Sequence, residues 1–240
     1  MTAELALYLL GATVAGFVSG LIGFGFALVA APLWLRILEP IDVTTLVVAY
    51  GVVTQGYTIW TMRRDLRLGP SVPLIVGGLL GVPLGVSIVS AIDPHAFRIA
   101  IGIFMMAYTA WLLARPRVGR LRGGGRIADG GAGFASGVLG GMAGFSGPIA
   151  ALWCTLRPWS KDEQRQALQP YLLVMHVSTL LSLAVAGSLD RKLGTNLLLG
   201  LPLVVVSLWL GFRIYRRMRD ESFRRIVLWV LFASGFSLLW

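Results

Sequence analysis

Hydrophobic residues fill most of the chain in long blocks, which short polar segments rich in arginine separate. Most blocks are close to the roughly 20 residues that an α-helix needs to cross a bilayer. The pattern therefore predicts an all-α polytopic integral membrane protein. Its eight apolar blocks cover residues 5–35, 43–62, 70–91, 96–114, 130–156, 167–187, 195–212 and 223–240.

The composition excludes a soluble globular protein. Of 240 residues, 56% are hydrophobic and only 13% are charged, and the mean hydropathy is +0.78. Soluble domains carry about 25% charged residues, which is what covers their surface. We expect no cleavable signal peptide, because no basic segment precedes the first apolar block and that block is too long.

The inventory of reactive side chains predicts no cofactor and no metal site. A single cysteine, Cys154, excludes an intrachain disulfide, and two histidines are too few for a haem or a binuclear centre. The chain also lacks the phosphate-binding loop of ATPases. The net charge of +10 sits in short loops beside apolar blocks, so it indicates contact with lipid headgroups rather than with nucleic acid.

Two glycine-rich stretches indicate an internal repeat. Residues 15–32 read AGFVSGLIGFGFALVAAP, and residues 132–148 read AGFASGVLGGMAGFSGP. With an offset of 117 residues, five identical positions align, namely Gly16, Phe17, Ser19, Gly20 and Gly23 with Gly133, Phe134, Ser136, Gly137 and Gly140. After a four-residue shift, Tyr50 and Gln55 align with Tyr171 and His176. Weak internal symmetry is typical of transporter folds, and it predicts two four-block halves, 1–114 and 130–240, around a basic linker at 115–129.

The distribution of lysine and arginine predicts how the blocks cross the membrane. If every block crossed once, the two sides would carry 10 and 11 basic residues, without the usual bias. If the first and fifth blocks instead turn back, one side carries 17 and the other four. We therefore expect a glycine-broken helical hairpin at the start of each half, an inverted repeat, and an inner membrane in which the basic loops and linker are cytoplasmic and both termini lie outside.

The paired G-F-x-S-G-x-x-G stretches, the four-block halves and the basic linker resemble the TauE/SafE (TSUP) family of sulfite exporters. The resemblance covers essentially the whole chain and is most specific at residues 16–32 and 133–148. It implies a transporter of small sulfur-containing anions, such as sulfite, thiosulfate or an organosulfonate like sulfoacetate.

A broken helix offers one way to hold an anion in blocks that contain almost no fixed positive charge. The N-terminus of a half-helix leaves unpaired N–H groups and carries a partial positive charge, and glycine lets a ligand approach the backbone. Alternatively, glycines spaced by four residues simply let membrane helices pack closely, and serines bond a carbonyl one turn back. The candidates in the two stretches are Ser19, Gly20, Gly23, Ser136, Gly137, Gly140, Gly144, Ser146 and Gly147, and Pro148 favours a helix start beside Ser146.

Four polar residues inside apolar blocks complete the candidate site. Tyr50 and Gln55 lie in the second block, and Tyr171 and His176 lie in the sixth. Buried polar groups in a membrane line an interior cavity or form hydrogen bonds between helices, and both remain open here. His176 is the candidate for coupling a proton or pairing with the anion.

These features predict a secondary transporter that exports an anion by alternating access around a midplane site. The alternatives are a proton-coupled importer of the same fold, an intramembrane enzyme that pairs Ser146 with His176, and an assembly partner without transport. Glycine-lined faces also make a homodimer an open prediction. We expect a small anion and the bilayer as partners, and no enzymatic activity.

Overall fold

Helices account for all the regular structure in the described part of the chain, where no strand occurs. The computed structural model describes residues 3–63, 68–114, 125–156, 161–187, 191–215, 217 and 236. The last apolar block and most of the linker therefore lie outside the described residues. The helices are α1 (Ala3–Ile22), α2 (Phe26–Trp34), α3 (Pro40–Met62), α4 (Val72–Ala91), α5 (Pro94–Ala114), α6 (Gly125–Ala143), α7 (Ser146–Leu156), α8 (Lys161–Val185) and α9 (Arg191–Tyr215).

The first and fifth apolar blocks are each broken into two helices that form a hairpin. At the end of α2, the indole Nε1 of Trp34 donates to the carbonyl of Tyr8 near the start of α1 at 3.1 Å. In the second hairpin, the indole of Trp153 on α7 donates to the carboxylate of Asp129 on α6 at 2.7 Å. Each second arm thus returns toward the start of the first, which confirms the predicted helical hairpins. Helix α6 begins at Gly125, so the end of the predicted linker is helical.

Helices α1, α3 and α9 run in the same direction. The hydroxyl of Tyr8 donates to the carbonyl of Asn196 at 2.6 Å, and Gly20, further along α1, lies against Leu208, further along α9. On α3, the hydroxyl of Tyr50 donates to a carbonyl in the first turns of α9. Tyr57 is in edge-to-face contact with Phe212 near the end of α9.

Helices α4, α6 and α8 run in the opposite direction. Gly77 of α4 lies against the start of α6, and Gly85 lies against a later part of the same helix. Just before α4, the hydroxyl of Ser71 donates to the carbonyl of Ala167, at the start of the apolar part of α8. Helix α8 passes α3 in an antiparallel sense, because His176 contacts Gly51 while the earlier Gln169 meets the later Gln55. The two hairpins therefore enter the protein in opposite directions. The complete inverted repeat, with its last block, stays a prediction.

Each hairpin packs along a glycine seam on a helix from the other half. In both seams a glycine lies so close to a backbone carbonyl that a Cβ would overlap it. Such approaches suit helix association in lipid, where small residues maximise backbone contact and Cα–H groups reach carbonyls. The seams pair Gly20 with Leu208 and Gly211 with Phe17, and likewise Gly137 with Gly78 and Gly141 with Val82.

The helix breaks correct the register of the internal repeat. At the two breaks, Gly23 donates from its backbone N–H to the carbonyl of Ser19, and Gly144 donates to the carbonyl of Gly140. The equivalent glycines are thus 121 residues apart, one helical turn from the offset of 117 read from the sequence. The seam contacts fit either offset, because glycines recur every fourth residue and a helix repeats every 3.6 residues. Relative to the breaks, Ser19 is therefore equivalent to Gly140 and not to Ser136.

Two hydrophobic cores each combine elements from both halves of the chain. One core joins α1, α2 and much of α3 with Val204 of α9 and Phe145 at the second break. The other joins α4 with α7 and α8, and includes Val48 of α3. Partly buried Phe24 and Ile41 pack against both cores. The packing units therefore differ from the two sequence repeats.

Three of the described helical segments are long and apolar enough to cross a membrane by length and composition. They are Ala3–Ile22, Gln166–Val185 and Gly194–Tyr215. Together with the all-helical fold, these segments agree with the polytopic membrane protein that the sequence predicts.

Candidate functional site

The two helix breaks meet at a small cavity that residues of both hairpins line. The first hairpin contributes the loop residues Phe24 and Gly25 and the start of α2, and the second contributes the break and the start of α7. From α3 and α8 come Gln55, Leu172 and His176.

Glycines in left-handed conformation make both breaks. Gly23 and Gly25 have φ angles of 79° and 99°, and Gly144 has 69°. This conformation costs other residues free energy because their Cβ would crowd the next carbonyl, whereas glycine adopts it freely. Gly23 and Gly144 are 121 residues apart, which is the same spacing as that between Gln55 and His176.

Both second arms begin at the cavity. Phe26, Ala27 and Leu28, the first turn of α2, line it, as do Gly147 and Pro148 in the first turn of α7. The cap residue Gly25 offers no side chain to the N–H groups of this turn. The first-turn N–H groups of a helix have no intrahelical partner, and they give the helix end a partial positive charge. Two such ends at one cavity form a favourable environment for an anion.

The cavity has polar side chains but, among the described residues, no lysine or arginine in its lining. Gln55 donates from Nε2 to the carbonyl of Gly23 at 3.0 Å, and the Nε2 of Gln169 donates to the same carbonyl at 3.0 Å. Both glutamines are at most 2% exposed. They bond the carbonyl of the residue directly after the end of α1, and so offset its partial negative charge beside the cavity.

His176 takes the position in the second half that Gln55 takes in the first. The two residues are 121 apart, and both line the cavity. The imidazole lies within hydrogen-bonding reach of the backbone of Gly144 and of Gly51. A Cβ at residue 51 would overlap the ring, so the glycine makes room for it. In each half, a polar side chain thus contacts the glycine at the helix break.

The serine candidates lie around the breaks and outside the cavity lining. Ser146 is fully buried in the first turn of α7, with its Oγ against Gly140. Its carbonyl accepts a hydrogen bond from the Oγ of Ser136 at 2.6 Å, which ties α6 to α7 across the break. Ser19 is buried one turn before the first break. These three serines stay predicted ligands, next to the cavity rather than in its wall.

The tyrosine candidates contact other helices instead of the cavity. The hydroxyl of Tyr50 lies 2.8 Å from that of Tyr8 and donates to the carbonyl of Leu197 at 2.9 Å. The hydroxyl of Tyr171 lies 3.4 Å from the carbonyl of Gly133 on α6. Both rings are fully buried. Tyr50 also packs on Phe26, so it supports the cavity wall from behind.

The predicted glycines divide into two groups. Gly144 and Gly147 line the cavity, and Gly23 presents its carbonyl to the two glutamines. Gly20 and Gly137 belong to the packing seams instead, and Gly140 accommodates the Ser146 hydroxyl. Close helix packing therefore explains Gly20 and Gly137. Contact between a ligand and Gly144 or Gly147 stays a prediction.

Sequence reasoning missed Gln169 and the phenylalanines Phe24 and Phe145. Gln169 follows a charged run, which is typical of a segment outside the membrane. However, an amide immediately before Pro170 at the start of an apolar segment could have indicated a buried polar group. Phe145 is fully buried and stacks with Phe104. It follows Gly144 and holds the second break in place.

The comparison with family models agrees with the resemblance seen in the sequence. The family model described as sulfite exporter TauE/SafE matches residues 8–238. No curated protein and no solved structure matches the chain.

Proposed function

The chain belongs to the sulfite exporter TauE/SafE family, and we propose that it exports a small sulfur-containing anion across the bacterial inner membrane as a secondary transporter. Sulfite, thiosulfate and organosulfonates such as sulfoacetate are the candidate substrates. The cavity between the two helix breaks is the proposed binding site. A role in transport rather than in catalysis fits the family.

The observation that carries this proposal is the meeting of two helix N-termini at a cavity without lysine or arginine in its described lining. Partial positive charges attract an oxyanion, and they hold it less firmly than a buried guanidinium would. A transporter needs this balance, since its site must release the anion as well as bind it.

Opposed hairpins and two cores support alternating access around this cavity. Each hairpin is joined by a glycine seam to a helix of the other half, so hairpin and partner helix would move together. The cavity lies where residues of α3 and α8 meet the two breaks. Relative rotation of the two cores would then expose the cavity first to one side and then to the other.

The membrane potential provides a driving force in the export direction. An inside-negative membrane favours the outward movement of negative charge by about 2.3 kcal/mol per charge per 100 mV. Export of an anion therefore requires no coupled ion. His176 lines the cavity and stays the candidate for a coupled proton.

We propose that the ends of α3 and α9 lie on the cytoplasmic side. Tyr57 contacts Phe212, so these ends are neighbours, and Arg63 and Arg213 there lie over the rings of Trp60 and Trp209 at 5.3 and 5.1 Å. Aromatic and basic residues are typical of the membrane interface.

This orientation predicts that a reporter fused after Trp240 is outside the cytoplasm. We expect alkaline phosphatase to be active in this fusion and green fluorescent protein to be dark, with the reverse for fusions in the 115–124 segment. A fluorescent C-terminal fusion would contradict the orientation, whereas the cavity and its anion chemistry would be unaffected.

Flux in proteoliposomes tests the transport function directly. We expect the purified protein to move sulfite or thiosulfate at a rate that rises with an imposed membrane potential. Gln55→Leu removes a donor to the Gly23 carbonyl and should lower the flux about tenfold, as expected for a lost hydrogen bond worth about 1–1.5 kcal/mol.

Ser87→Ala is the matched control for this experiment. Its hydroxyl lies on the exposed side of α4 and bonds the carbonyl of Leu84 within its own helix. We expect flux equal to that of the unmodified protein. If the unmodified protein moves neither sulfite, thiosulfate nor sulfoacetate, the transport proposal is wrong.

A further inference from the structure

Two buried amide oxygens of side chains that contact Gly23 have no hydrogen-bond partner among the described residues. They are the Oε1 atoms of Gln55 and Gln169. Since both Nε2 atoms donate to the same Gly23 carbonyl, each amide must point its nitrogen there and its oxygen away. The orientation of these amides is therefore fixed by chemistry, because a carbonyl accepts only from the NH₂ side.

Of these two glutamines, Gln55 lines the cavity. It shares the lining with His176, which belongs to the other half of the chain and is 6% exposed. The cavity therefore combines backbone N–H groups at two helix ends with a buried acceptor, the Oε1 of Gln55.

A fully deprotonated oxyanion matches only part of this arrangement. Its oxygens accept from the helix N–H groups, but it has no proton to give to the Gln55 oxygen. Leaving a buried acceptor unpaired costs free energy, and sites built around such a group discriminate strongly against ligands that cannot pair it. A ligand with both negative oxygens and an O–H or N–H group satisfies both sets.

We propose, building on the function proposed above, that the site selects monoanions that carry a hydrogen-bond donor, such as hydrogen sulfite or an amino- or hydroxy-substituted sulfonate. The charged oxygens bind the first turns of α2 and α7. The donor binds the Gln55 Oε1, and the Gln169 amide keeps the shared carbonyl capped. Hydrogen sulfite then crosses the membrane together with its proton.

Sulfamate and methanesulfonate form a matched pair of probes for this selection. Both are monoanions at neutral pH with the same –SO₃⁻ group. Sulfamate carries an NH₂ group where methanesulfonate carries a methyl group. We expect sulfamate to stabilise the purified full-length protein against heat at a concentration about tenfold lower than methanesulfonate does.

Two substitutions at residue 55 connect the preference to the proposed acceptor. Gln55→Met keeps the length of the side chain and removes the acceptor, so the two probes should become equivalent. Gln55→His introduces the residue that the second half has at this position, with one nitrogen to donate and one to accept, so it should retain the preference for sulfamate.

The outcomes separate this inference from the transport function. Equal stabilisation by both probes in the unmodified protein overturns the selection for a donor and leaves anion binding intact. Stabilisation by thiosulfate but by neither monoanion also overturns the selection for a donor and leaves anion binding intact. A preference for sulfamate that persists in Gln55→Met overturns the role of the Gln55 oxygen. If no sulfur oxyanion stabilises the protein, both the inference and the proposed function are wrong.

Discussion

Replacing Gly137 by alanine should destabilise the protein severely. A Cβ at this position would overlap the carbonyl of Gly78 and would lie 2.7 Å from the Gly78 Cα, so the obstacle is backbone that cannot rotate away. Helices α4 and α6 would have to separate along their whole seam. We expect a loss of about 3 kcal/mol, at the upper end for overpacking, and a melting temperature lower by about 6–12 °C in detergent.

Gly131→Ala is the control for this prediction, because it makes the same chemical change in the same helix. Gly131 is exposed, and nothing lies within 4 Å of the position that its Cβ would take. Alanine favours a helix over glycine by up to about 1 kcal/mol, so this variant should melt at the same temperature or slightly higher. Similar melting temperatures for the two variants would show that the seam tolerates a methyl group.

The architecture was largely predictable from the sequence because its determinants are local. Apolar block length predicts membrane helices, and the two glycine-rich stretches contain Gly23 and Gly144, at which the helices break. The arginine count distinguished hairpins from single crossings. The register of the repeat was not predictable, since the glycines recur at the helical period and the choice between offsets depends on where the helices break, at Gly23 and Gly144.

The cavity lining was predictable where a glycine of the second stretch or a polar residue interrupts an apolar block, as at Gly144 and Gly147. Gln55 and His176 satisfy that criterion, and both line the cavity. Ser146 satisfies it too, but its hydroxyl points at Gly140, because the side chain in the first turn of a helix packs on the preceding arm. The direction of a side chain depends on tertiary packing, which spacing along a sequence does not encode.

Replacing Gly144 by alanine should abolish most transport at a modest cost in stability. The residue has a φ of 69°, which costs alanine about 1–2 kcal/mol, and a Cβ would also overlap the side chain of Val47. The break would shift toward a continuous helix, and the start of α7 would move away from the cavity. We expect the flux of sulfite in proteoliposomes to fall more than tenfold, because a displacement of about 1 Å in a positioned group can cost about a hundredfold in rate.

Gly187→Ala separates this effect on the site from backbone strain alone. Gly187 follows α8 with a φ of 73°, and nothing lies within 4 Å of its missing Cβ. The variant therefore bears the same conformational cost away from the cavity, and it should lose stability while keeping normal flux. If both variants lose flux in proportion to their stability, the breaks serve folding only. Loss in Gly144→Ala alone would mean that the left-handed glycine holds a helix N-terminus where the anion binds, so the break itself is part of the transport site.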